Sequence, residues 1–220
     1  MNKEWSDLNK LMQVQLKKES TFEAGIETLL SLRQILVDEL YRIKAELGRE
    51  DFNMIPFMNV SGYHSKTIAY SIWHISRIED IVAHTIIKNE PQIFFSDGYK
   101  ERIGTPVITT GNELAKQDIA DFSKALNLEE LYRYMTAVKD STNHILKSLH
   151  YRSLKQKMSD RDKEDLRSLN VVSTSEKAYW LIDFWYGKTI RGLIQMSISR
   201  HWIMHVEAIL RIRNKITPIV

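Results

Sequence analysis

Apolar residues recur at helical spacing along most of the chain, and the alternation that a half-buried strand requires is nowhere sustained. One stripe runs through Ile26, Leu29, Leu30, Ile35, Leu36, Leu40 and Ile43 and stops at Gly48. Ser20-Thr21-Phe22-Glu23 opens it, with Ser20 read as the N-cap and Glu23 as its third-position partner. A second stripe begins near Ser65 and reaches about Asn89, placing Tyr70, His74, Ile78, Ile81 and Thr85 on one face. A third opens at Asn127-Leu-Glu-Glu130 and carries Leu128, Leu131, Met135, Val138, Ile145 and Leu149. The last runs from about Lys188 to Asn214 and ends in Arg211, Arg213 and Lys215, cations that suit a helix C-terminus.

Between these stripes the pattern is shorter or broken. Residues 4–18 hold Trp5, Leu8, Leu11, Met12 and Leu16, a short amphipathic helix expected to pack loosely or fray. Residues 49–64 contain Pro56 and Gly62 and read as an irregular connection. Residues 90–126 contain Pro91, Gly98, Gly104, Pro106 and Gly111, with a short helix expected within Asn112–Lys124. A connection of that length suits a lid or a pocket wall. Ser159–Leu169, within residues 159–172, is charge-rich, a short solvated helix or a mobile loop. Ser173-Thr-Ser-Glu176 then starts a densely aromatic helix with Tyr179, Trp180, Phe184, Trp185 and Tyr186, of which Trp180 and Phe184 read as core. The expected fold is all-α: an antiparallel four-helix bundle with additional short helices in the connections, occupying residues 20–215 after an N-terminal segment 1–19.

Composition narrows the chemistry. At 220 residues the chain is one domain large enough to bury a core, with 43% hydrophobic and 27% charged residues. The net charge of +3 is spread among interleaved acids and bases, so no basic face or stacking platform points to nucleic acid. The absence of cysteine excludes disulfides, thiolate nucleophiles and iron–sulfur clusters, and leaves imidazole and carboxylate as metal ligands. No run approaches 18 apolar residues and no signal-peptide pattern opens the sequence. The expectation is therefore a cytoplasmic protein without a membrane span.

The candidate chemistry lies in the histidines. His201 and His205, in the stretch RHWIMHVE, are four residues apart, so on a helix they point only about 40° apart, one turn above the other. They share their face with Ile194, Ile198, Ala208 and Ile212, while His74 shares its own face with aliphatic residues. Three imidazoles turned towards a core need partners: a metal ion, or backbone and carboxylate groups. His84 lies one turn beyond Asp80 and reads as a flanking residue paired with that carboxylate. Rival patterns are missing. No Glu-x-x-His occurs, because Ser61, Ser71, Ile81, Ser141, Lys147, Ile198 and Trp202 stand three positions before the histidines, and His-Glu-x-x-His is absent too. There is no nucleophile elbow and no glycine-rich phosphate loop.

A His in the second helix (SIWHISRIED) with a His-x-x-x-His in the last (RHWIMHVEA) resembles the DinB-like, or YfiT-like, superfamily of metal-dependent four-helix-bundle proteins, over roughly residues 20–213. The resemblance implies that His74, His201 and His205 bind a divalent metal, commonly zinc or nickel, and that the protein forms a homodimer. Members with assigned activities include thiol-dependent transferases and isomerases. Two function classes follow. One is a metal-dependent S-transferase or hydrolase acting on an electrophilic small molecule, with any thiol supplied as a low-molecular-weight substrate. The other is a non-catalytic binding module with a structural metal or none. The pocket walls would come from Tyr179–Tyr186 and the connections 49–64 and 90–126, while Lys188 and Arg191 read as solvated surface.

Overall fold

The structure, a computed structural model, describes residues 2–59 and 62–217. Met1 of the N-terminal segment, and Val60 and Ser61 of the 49–64 connection, lie outside the described residues. The helices in chain order are α1 (Lys3–Gln15), α2 (Phe22–Glu46), α3 (Ile68–Asp80), α4 (Ile93–Ser96), α5 (Tyr99–Ile103), α6 (Gln117–Ala125) and α7 (Leu128–Ser148). They are followed by α8 (Asp160–Ser168), α9 (Glu176–Tyr186), α10 (Ile190–Leu193) and α11 (His201–Ile216). Two π-helical stretches extend the rods: Ile81–Lys88 prolongs α3, and Ile194–Arg200 joins α10 to α11. The described residues contain no strand, only an isolated bridge between Lys157 and Thr189, and the fold is all-α.

Side-chain caps decide where several helices begin. Thr67 accepts a hydrogen bond from the Tyr70 amide, so the second long helix starts at Ile68 rather than near Ser65. Asn127 caps α7 through the Glu130 amide, and Ser159 with Asp162 closes a reciprocal capping box on α8. Thr189 caps the last rod through the Gly192 amide. Ser20 does not act as expected. It lies in a 3₁₀ turn (Glu19–Thr21), Thr21 takes the N-cap position of α2, and no side chain caps that end.

The four long rods pack in a ring: α2 on α7, α7 on α3, α3 on α11, and α11 back on α2. One apolar cluster gathers Leu32, Trp73, Met135, Val138, Trp202 and Val206; a second, towards the other end, holds Ile26, Ile78, Leu146, Trp185 and Ile194. Contrary to the fraying expected of it, α1 docks along α2 with Trp5, Met12 and Leu16 buried. Each such side chain stabilises the docked state by roughly 1.5–3 kcal/mol, more than a short terminal helix gains by fraying. Gly25 makes the close approach workable, since a Cβ there would stand 2.9 Å from Leu16 Cδ2.

The core also encloses charge, which the apolar pattern does not reveal. Arg33, Arg77, Glu79 and Asp80 are all buried. Arg33 of α2 forks onto Glu79 of α3 through bonds of 2.8 and 2.6 Å, and Asp80 accepts bonds from the Ile93 and Phe94 amides and from the Tyr134 hydroxyl. Arg77 donates to Gln92 and to the Ile108 carbonyl, stitching the long 90–126 connection to α3. Every one of these charges has a partner, as buried charge requires.

Candidate metal centre

His74 sits on the core face of α3, and His201 and His205 occupy successive turns at the start of α11, the helix packed against α3. The structure brings the three together. His74 and His201 have ring centroids 5.0 Å apart, His74 and His205 5.0 Å, and His201 and His205 4.6 Å. One nitrogen from each ring lies within 4.8 Å of the others. Nitrogens on a tetrahedral ion stand about 3.3 Å apart, so small side-chain rotations suffice to close the set. Three imidazoles in this arrangement could hold a metal ion. Among the remaining histidines, His64 lies edge-on to Phe57, and the exposed His144 bonds the Asp140 carbonyl. His84 pairs with Asp80 at 2.8 Å as expected of it, but it is buried rather than flanking, with its other nitrogen 2.8 Å from the Ser141 hydroxyl.

The hydrogen bonding of the three rings separates them from ordinary core histidines. His74 Nδ1 lies 2.6 Å from the Thr110 carbonyl, which calls for an N–H at that position and leaves Nε2 with its lone pair towards the cluster. Among the described residues, buried His205 has no partner for either ring nitrogen, and the buried Nδ1 of His201 has none. Unsatisfied buried imidazoles cost free energy unless another ligand completes them. The Thr110 carbonyl is itself held by the next residue. Gly111, at φ +76°, fits against the Trp73 ring where a Cβ would come within 2.5 Å, and its carbonyl accepts the Tyr70 hydroxyl at 2.9 Å. The connection 90–126 thus orients a ring of the cluster, a role its irregular sequence did not disclose. The π-helical turn before His201 is anchored likewise: Arg33 donates to the Ile198 carbonyl, and Ser199 donates to Asn9 of α1.

Burial drives all three imidazoles towards neutrality. His74 is pushed down to about 4 by burial, with the Thr110 carbonyl opposing and Lys66 adding to the shift. His205 and His201 are held well below the usual range by burial and by the neighbouring imidazoles. Unfolded histidines titrate near 6.5, so between about pH 6.5 and pH 4 the unfolded chain binds protons that the native one refuses. Metal-free protein is therefore expected to lose stability steeply as pH falls through that window, by on the order of 3 kcal/mol from His74 alone. For His84 burial is outweighed by Asp80 and the shift is upward, so its contribution is present below pH 6.5 and lost on the alkaline side. Urea titrations from pH 4 to 8 in the presence of a chelator check this; a flat profile below pH 6.5 would contradict it.

The cluster opens into a cavity of about 400 Å³. Its walls include Tyr63, Tyr70, Ile78, Trp180, Phe184, Trp185 and Met196, and none of the described lining residues is acidic. His201 is partly exposed along this wall, and Tyr63 lies edge-on to His205 at 4.8 Å. The aromatic segment and both expected connections contribute to the walls, the connections through Gly62, Tyr63 and Asn112. Trp180 is not core, and Phe184 only flanks it, partly buried against the second apolar cluster. Trp180 is 53% exposed and packs edge-on with half-buried Phe184, because α9 turns one aromatic face to the cavity mouth while Leu181, Ile182 and Trp185 fill the interior.

No family model and no curated protein matches the chain. Among solved structures, it is similar to one described as the conserved protein of locus from Enterococcus faecalis, with a TM-score of 0.59 and 12% sequence identity, over 86% of this chain and 95% of that one. At that identity the likeness is one of fold. No helix among the described residues is long and apolar enough to cross a membrane.

Proposed function

We propose that the protein is a metal-dependent enzyme of the DinB-like kind, its four long rods forming an antiparallel bundle around a His74–His201–His205 centre. The observation that carries the reading is His205, a buried imidazole whose two nitrogens have no partner among the described residues, in a cluster whose ligand atoms lie within 4.8 Å of one another. Zinc or nickel suits a set of neutral imidazoles without thiolate. When bound, such an ion supplies Lewis acidity, enough to make a bound water or an incoming thiol reactive near neutral pH.

The chain's own residues prepare the rest. The Thr110 carbonyl fixes the tautomer of His74, and burial keeps all three rings deprotonated, so at neutral pH no proton has to leave before they can serve as ligands. The cavity beside the cluster leaves room for a substrate, and much of its wall is aromatic. Since the chain has no cysteine, a thiol partner would be a small molecule, and thiol S-transfer or hydrolysis on an electrophilic substrate is the reaction class we infer.

Protein purified untagged and without chelator is expected to retain close to one equivalent of divalent metal. The cobalt-substituted form should change its visible spectrum on adding azide or a small thiol. Less than a tenth of an equivalent would remove the premise. Full metal with an unresponsive cobalt spectrum would favour a closed, structural site and a binding module instead of an enzyme.

A further inference from the structure

Lys66 stands at the wall of the cavity, half-buried, its ammonium 5.2 Å from the centre of the Tyr70 ring. It forms no ion pair among the described residues, unlike the buried cations Arg33 and Arg77. Its surroundings oppose its charge: burial and then Lys177 of α9 both push it below the usual lysine range. A second cavity of about 500 Å³ meets the first at Gly62, Ser65 and Lys66 and adds Lys116, again with no acidic residue in its lining. A half-buried ammonium without an ion pair among the described residues, with Lys177 acting on it and no carboxylate among the described residues of either lining, is an electrostatic arrangement completed by an anion.

The rest of the cavity restricts what that anion belongs to. Trp180, Phe184, Ile78 and Met196 present flat or flexible apolar surface. Lys66 is the one lysine or arginine among the described residues lining the first cavity, and a single ammonium suits a carboxylate better than a doubly charged phosphate. We propose that the cavity binds a small organic carboxylate with a flat apolar body, the carboxylate held by Lys66 and the body lying against Trp180 and Phe184. The proposal deepens the enzymatic reading by naming the ligand's chemical class, and it rests on that reading only for the ligand's being a substrate.

Quenching of tryptophan fluorescence by 2-naphthoate, compared with the neutral isostere 2-naphthamide, tests it in both chelator-treated and metal-loaded protein. Wild type without metal should bind naphthoate about tenfold more tightly than naphthamide. Lys66→Met and Lys66→Gln should abolish the preference while keeping naphthamide binding, Lys66→Arg should retain it, and Trp180→Ala should weaken both probes. Equal affinity for the two probes in metal-free wild type would overturn the proposal, as would a preference that survives in both Lys66→Met and Lys66→Gln. Because the decisive arm contains no metal, a protein that fails to take up metal could still pass it, and a metalloprotein could still fail it.

Discussion

His205→Leu is expected to abolish metal uptake while leaving the metal-free protein at least as stable as the wild type. The imidazole it removes is buried with both nitrogens unpartnered, a burden of about 1–3 kcal/mol that leucine does not carry. Without metal, the melting temperature should therefore hold or rise by a few degrees, since about 1 kcal/mol moves a domain of this size by roughly 2–4 °C. Affinity for zinc or nickel should fall by more than about 100-fold, beyond the 10- to 100-fold typical of losing an outer partner of a ligand. His84→Ala and His144→Ala should keep wild-type affinity, because His84 is committed to Asp80 and Ser141, and His144 is exposed on α7. Competition with a chromophoric chelator, beside thermal melts with and without metal, reads both quantities. A His205→Leu protein that melts well below wild type yet still binds metal would show that His205 is a packing residue and that the ligand set is wrong.

What could be read from the sequence, and what could not, follows from what periodicity measures. It reports which residues share a face, so it identified the long helices and turned His74, His201 and His205 inwards. It does not report what the facing element contributes. Thr110 acts through a backbone carbonyl, which any residue carries, and so its hydrogen bond to His74 left no compositional trace. Arg77, Glu79 and Asp80 look like the polar side of an amphipathic helix, yet α3 is covered on every side, by α7, α11 and the 90–126 connection, and the charges are matched inside. Large aromatics usually belong to the core, as Trp185 does and Phe184 does in part, whereas the cavity mouth leaves Trp180 exposed. The short stripe of 4–18 by itself implies only loose packing or fraying, and it is the small residue Gly25 on the partner helix that lets it lie close.

Arg33→Met should be the most damaging single substitution, lowering stability by about 3–5 kcal/mol and the melting temperature by about 10 °C or more. Arg33 is 1% exposed, and its guanidinium satisfies both oxygens of Glu79, the Asn143 side chain and the carbonyls of Ile198 and Lys139. Methionine fills similar volume but leaves the Glu79 carboxylate charged and unpartnered in the core. Most of the damage therefore belongs to the stranded carboxylate rather than to the lost attraction. Arg33→Met combined with Glu79→Met should accordingly recover the larger part of the lost stability, with a coupling energy of at least about 2 kcal/mol in the double-mutant cycle. The double variant should still bind metal less well than the wild type, because the Ile198 carbonyl lies in the π-helical turn that leads directly into His201 and would lose its donor. Urea melts of the two single variants and the double variant decide the first point. An Arg33→Met cost below about 1 kcal/mol, or strictly additive losses, would mean that water reaches Glu79 and that the pair is not buried in solution. Chelator competition on the double variant decides the second. Wild-type affinity there would show that the turn holds His201 in place without Arg33, leaving the Asn9–Ser199 bond and the surrounding apolar packing to position the ligand.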